Sequence, residues 1–79
     1  MAKKLVAVEM TDERLQHWLT YHSPTVIDSA RYLIIRAAAL DFAKIVRDQT
    51  PECADRTVAI RCIREAVMWA NAAIACEGR

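Results

Sequence analysis

The sequence predicts an all-α protein: a short N-terminal helix, then a long antiparallel helical hairpin, assembled into a homo-oligomer. Three observations carry this. The chain has 79 residues, 54% of them hydrophobic, with one Gly and two Pro. Disordered chains and many-turned β folds have other compositions. Two long stretches lack helix breakers, Pro24 to Gln49 after its first residue and Ala54 to Cys76, and only "TPECAD" joins them. Both stretches are apolar on more than one side, and a helix apolar all round must be covered all round.

The elements follow in order. Residues 1–10 form an N-terminal arm, whose "KLVAVEM" suits a short strand, a helix start or an extended segment. Residues 11–79 form a single helical-hairpin domain. Thr11 suits an N-cap, with Asp12 and Glu13 placed well for the helix dipole. Leu15, Trp18 and Leu19 then make an i, i+3, i+4 stripe, so a short helix is expected over Thr11 to Thr20. "YHSPT" ends it. Ser23 and Pro24 read as N-cap and first helical residue of the next helix. That helix runs to about Gln49, and the last from Ala54 to Cys76, with "EGR" fraying. A short connection between two long helices makes them antiparallel neighbours.

On the last helix, Ile60, Ile63, Val67, Ala70 and Ile74 form a seam that pairs with the long helix. Val58, Cys62, Ala66, Trp69, Ala73 and Cys76 form a second apolar stripe beside it. On the long helix, Arg36, Asp41, Lys44, Arg47 and Asp48 share one arc and leave a wide apolar surface. A hairpin cannot cover these faces alone. The short helix covers one patch, and further copies of the chain are expected to cover the rest.

Charge and cysteines narrow the function. A net charge of +1 offers no global field for long nucleic acid. A small anionic ligand needs only a few convergent arginines. Three cysteines without a CxxC pair argue against a disulfide framework and fit a reducing compartment. The N-terminal apolar run is too short for a signal peptide. No run approaches the ~20 residues that span a bilayer. No membrane partner is expected, and the expected location is the cytoplasm.

Catalytic signatures do not emerge. His17 and His22 flank a helix break, with no Cys or carboxylate at ligand spacing, so no metal site and no cofactor is expected. There is no Gly-rich phosphate loop, and the sequence does not predict an enzyme. Binding chemistry is better represented. Tyr21 sits at the entrance of the long helix, where an exposed ring can stack on a base. His22 and Pro24 flank it, and Arg31 and Arg36 follow on the helix. Arg36 offers a fork suited to bidentate phosphate recognition. The plain alternative packs Tyr21 on Trp18 and pairs Arg36 with Asp41. Arg56, Arg61 and Arg64 form a second basic group, interleaved with Asp55 and Glu65. They are a solvated face in a monomer, or a positive ring where subunits meet.

These residues carry a resemblance. "TYHSP", "ARYLIIRAAALDFAKIV" and "TPECADRTVAIRCIREAVMWANAAIA" resemble the bacteriophage helical-hairpin family of anti-CBASS sponges, which sequester cyclic oligonucleotides and are linked to Thoeris anti-defence sponges. The resemblance covers about Thr20 to Ala75, and "EAVMWANAAIA" is its most specific part. It implies a non-enzymatic phage protein in the host cytoplasm, assembled as a homohexamer. It implies a cyclic dinucleotide pocket between two protomers, with Tyr21 on a base and Arg36, a lysine in the family pattern, on phosphate. It also implies a separate cyclic trinucleotide pocket, which falls on Arg56 and Thr57, or on Arg61. A protein-interaction module of a phage, or a sponge for a cyclic ADP-ribose-type signal, are the alternatives.

Overall fold

The computed structural model describes residues 9–79. Most of the N-terminal arm, and the reading of "KLVAVEM", lie outside the described residues. Three helices follow in order: α1 (Asp12–Leu19), α2 (Val26–Gln49) and α3 (Ala54–Ala75). Strands are absent among the described residues.

Helix α1 begins as its sequence requires. The Arg14 amide donates to Thr11 Oγ1 at 3.2 Å, and Asp12 and Glu13 lie in the first turn against the dipole. Helix α2 starts two residues later than expected. Its N-cap is Thr25, so Ser23 and Pro24 lie outside it. The Asp28 amide donates to Thr25 Oγ1 at 3.0 Å, and the Thr25 amide donates to Asp28 Oδ2 at 3.1 Å. This reciprocal box satisfies two orphan donors. A cap at Ser23 would put Val26 at the third position, which cannot reach back.

Helix α3 ends at Ala75, and "EGR" closes it instead of fraying. The Gly78 amide donates to Ala73 O at 2.9 Å and the Glu77 amide to Ile74 O at 3.1 Å. These are the two bonds of a Schellman turn. Glu77 occupies the left-handed position with φ 55°, and Gly78 follows at φ 74°.

Helices α2 and α3 pack as the expected hairpin. The predicted seam is the covered side of α3: Ile60, Ile63, Val67, Ala70 and Ile74 are all half-buried. Tyr32, Ile35, Ala39, Ala43 and Val46 are the corresponding positions on α2. Yet none of the described hydrophobic side chains is fully buried. Large apolar side chains stand in solvent instead: Leu33, Ile34, Leu40, Phe42 and Ile45 are each more than half exposed. An apolar groove runs along one face of the hairpin, lined by Ile35, Phe42, Val46, Cys62, Ala66 and Val67 among others. Of the second stripe, Trp69 is 69% exposed and Val58 57%.

Helix α1 does not lie along the hairpin to complete a three-helix bundle. It is tied to the hairpin's open end by side chains. Trp18 Nε1–H donates to the Arg79 main-chain oxygen at 2.7 Å, and His17 Nε2–H donates to Cys76 O at 2.9 Å. The Arg14 guanidinium sits 5.9 Å from the Trp18 ring centroid, within cation–π range. At the hairpin's other end, Arg47 and Asp48 form a surface pair at 2.8 Å. The hydrogen bond from Arg47 holds the Asp48 carboxyl below its ordinary range.

Candidate ligand cleft at the open end of the hairpin

The segment between α1 and α2 decides where Tyr21 stands. The residue before a proline is restricted to extended backbone, so Ser23 does not continue a helix, and "YHSP" links α1 to α2 outside both. His22 anchors it: His22 Nε2–H donates to His17 O. The His17 and His22 rings meet edge-on with centroids 4.7 Å apart. His17 in turn holds the end of α3 through Cys76 O. Tyr21, beside this anchor, is left 82% exposed.

A cleft of about 530 Å³ opens next to it. One wall comes from Trp18 of α1 and from the crossing segment, with Thr20, Tyr21, His22 and Pro24. The opposite wall comes from the hairpin, with Tyr32 and Arg36 of α2 and Asn71, Ala72 and Ala75 of α3, and Cys76 just beyond. Tyr32 and Arg36 are an i, i+4 pair and so share one face of α2. Tyr21, His22, Pro24 and Arg36, picked out from sequence, therefore stand together. The high exposure of Tyr21 shows that its ring is not packed away against Trp18. Among the described residues Arg36 has no ion pair.

Arg31 is not brought in. Five residues before Arg36, it projects about 140° away around the helix and stays exposed. Arg56, Thr57 and Arg61 lie elsewhere, towards the start of α3, from about 15 Å (Arg61) to about 22 Å (Arg56) along the helix from Asn71. Arg56 has a structural partner there: its Nη1 donates to Arg47 O at 3.2 Å, closing the end of α2. Thr57 Oγ1 donates to Cys53 O at 3.5 Å, and Arg61 is exposed.

Asn71 is the cleft residue that the sequence reading missed. Its Oδ1 is buried and without a hydrogen-bond partner among the described residues. A buried amide oxygen left unpaired costs about 1–3 kcal/mol. The available signal was its isolation, as the lone polar side chain of "AVMWANAAIAC".

The cleft thus combines exposed aromatic rings with, among the described residues, a guanidinium that has no ion pair and a buried amide oxygen that has no hydrogen-bond partner. These groups suit a ligand with flat bases, a phosphate and N–H donors. The comparisons with known proteins agree in kind. The model of the Acb2/Tad1 hairpin domain matches residues 11–75, most of the chain. The chain belongs to this family. Acb2/Tad1 hairpin proteins are the anti-CBASS and anti-Thoeris sponge family of bacteriophages, known as cyclic-nucleotide sponges. The family is a binding family and not a known enzyme family. The match begins at Thr11, the cap of α1, and ends at Ala75, the last residue of α3. It therefore spans the whole helical unit. Neither a curated protein nor a solved structure matches the chain. No helix among the described residues is long and apolar enough to cross a membrane.

Proposed function

We propose that this Acb2/Tad1 hairpin protein binds cyclic dinucleotides in the open-end cleft and sequesters them uncleaved, blocking CBASS-type host defence. The observation that carries the reading is the convergence of Tyr21 and Arg36 on one cleft. Tyr21 stacks on a base and Arg36 takes a phosphate. His22 and Pro24 hold the tyrosine segment. Sequestration needs only binding tight enough to keep free messenger below the level that activates a host effector.

The working unit is a homo-oligomer, a hexamer in this reading. Its support is physical: large apolar side chains left exposed, and an apolar groove along the hairpin. A cyclic dinucleotide has two bases, two phosphates and approximate two-fold symmetry. A two-fold junction that supplies one Tyr21 and one Arg36 from each protomer matches it. A junction of Arg56, Thr57 and Arg61 from several protomers is the proposed second pocket, for cyclic trinucleotides. The place of action is the cytoplasm of the infected host, where the messenger is made.

Calorimetry of the oligomeric protein against cyclic dinucleotides, cyclic trinucleotides and a cyclic ADP-ribose compound tests this. Heat with a dinucleotide, and recovery of that ligand intact from heat-denatured complex, is the expected result. Heat with the ADP-ribose compound alone would move the protein to a Thoeris-type sponge. No heat with any ligand would leave an interaction module, for which a specific host protein should be recovered by pull-down.

A further inference from the structure

The fold brings together three metal-ligating side chains that lie far apart in the chain. His17 comes from α1, His22 from the crossing segment and Cys76 from the end of α3. One ring nitrogen of each histidine and the Cys76 Sγ all lie within 4.8 Å of one another. All three residues are half-buried. We propose that they form a binding site for a divalent transition metal of zinc type. In this site the ion clasps the Tyr21 segment to the end of α3.

Ligand chemistry supports the assignment. Two imidazoles and a thiolate are the donor set preferred by zinc and its borderline-soft neighbours, and oxygen-seeking magnesium or calcium would not select it. Three protein ligands leave one position of a tetrahedral ion for water or another donor. Zn–N bonds near 2.0–2.1 Å and a Zn–S bond near 2.3 Å place the ligand atoms about 3.3–3.6 Å apart around a tetrahedral ion. The observed upper limit of 4.8 Å then closes by little more than about 1 Å of side-chain movement.

The surroundings already set the tautomers. A carbonyl oxygen can only accept a hydrogen bond. His17 Nε2 faces Cys76 O and His22 Nε2 faces His17 O, so both rings carry their proton at Nε2. In the neutral ring that arrangement leaves the lone pair on Nδ1. Metal-bound histidines characteristically donate the other ring N–H to a carbonyl or carboxylate, which fixes ring orientation and strengthens the ligand. Coordination through Nδ1 would leave both histidines this second partner. The site also meets a structural need, because a chain this small with so little buried surface gains much from a staple. The staple joins three segments that otherwise meet through hydrogen bonds and the edge-on contact of the two rings.

Cobalt titration of the full-length, reduced, chelator-stripped protein tests the site. One Co²⁺ per chain should bind, with a thiolate-to-cobalt charge-transfer band that zinc displaces. Cys53→Ser/Cys62→Ser should keep the band, and Cys76→Ser should remove it. His17→Gln and His22→Gln should each weaken binding at least about tenfold, the floor set by losing even an outer-shell partner. A second reading uses only the wild-type chain. Zinc should slow alkylation of Cys76, read by mass spectrometry, and leave Cys53 and Cys62 reactive. Absence of the charge-transfer band, its survival in Cys76→Ser, or alkylation of Cys76 at the same rate with zinc would overturn the proposal. None of these readouts involves the nucleotide, so the site stands or falls apart from the sponge reading.

Discussion

Tyr21, outside the long helix, and Arg36, about three turns into it, line the same cleft. The extended "YHSP" segment makes this geometry. It carries the ring back alongside the face of α2 that bears Tyr32 and Arg36. Removing the ring should therefore cost ligand affinity without costing the fold. Tyr21→Ala should weaken cyclic dinucleotide binding by about 5- to 150-fold, the range that 1–3 kcal/mol of stacking allows. Arg36→Ala should weaken it as well, and Arg36→Lys should recover much of the loss, because the charge remains. Both alanine variants should keep the oligomer mass of the parent. Calorimetry beside light scattering reads the two effects separately. Unchanged affinity in both alanine variants would remove the cleft from the mechanism.

Asn71 should show effects of opposite sign. Its unpaired buried oxygen is a cost in the free protein and an asset if the ligand supplies an N–H. Asn71→Leu, close in volume, should raise the melting temperature of the ligand-free protein. The same change should weaken ligand binding by about 1–3 kcal/mol. A fall in melting temperature with affinity intact would instead mean that a neighbouring subunit pairs the amide.

The groove beside Phe42 should be sensitive to charge. Phe42 is 56% exposed and flanks Cys62, Ala66 and Val67 in an otherwise apolar lining. In an oligomer this surface is covered, and an unpaired carboxylate there meets a heavy desolvation cost. Phe42→Glu and Ala66→Glu should each reduce the assembly to smaller species in native mass spectrometry. Asp41→Lys, on the polar arc of α2, should not. A parent protein that is already monomeric at micromolar concentration would refute the proposed assembly.

Helix positions were legible because breakers are rare in this chain. With one Gly and two Pro, each breaker marks a boundary. The hairpin seam was legible from the three-and-four spacing of Ile60, Ile63, Val67, Ala70 and Ile74. The start of α2 was misplaced by competing signals: Ser-Pro is a good helix opening, but Thr25 with Asp28 offers two reciprocal hydrogen bonds and prevails. The end of α3 was read to within a residue, but its closing turn was missed because Glu77 is an unusual residue for a left-handed position. Tyr21, His22, Pro24 and Arg36 were readable as local chemistry. Asn71 and Cys76 reach the same place only through the antiparallel return of α3, and no local pattern encodes that meeting. Arg31 does not line this chain's cleft, since nearness to Arg36 along a helix does not place two side chains on one face.

The turn at Glu77 leaves room for stabilisation. A left-handed conformation costs a residue with a Cβ roughly 1–2 kcal/mol, and glycine avoids most of it. Glu77→Gly should stabilise the protein by about 1 kcal/mol in denaturant unfolding, less the flexibility that glycine adds to the unfolded chain. The weak surface contact with Arg79, at 3.4 Å and well exposed, should offset little of this. Loss of stability would mean that the Schellman turn is not what closes α3.

The start of α3 separates structure from recognition. Arg56 donates to the Arg47 carbonyl and so satisfies an orphan acceptor at the end of α2. Arg56→Ala should lower stability by about 1 kcal/mol, whatever its part in ligand binding. Arg61 is exposed, so Arg61→Ala should leave the unfolding midpoint unchanged. If a second pocket forms among protomers, Arg61→Ala should still weaken cyclic trinucleotide binding and leave dinucleotide binding intact. Unfolding curves and calorimetry with both ligand classes distinguish the roles. Equal affinity of parent and Arg61→Ala for every cyclic trinucleotide would restrict the proposed second pocket to Arg56 and Thr57. A further null result in Thr57→Val, which keeps the side-chain shape, would remove that pocket altogether.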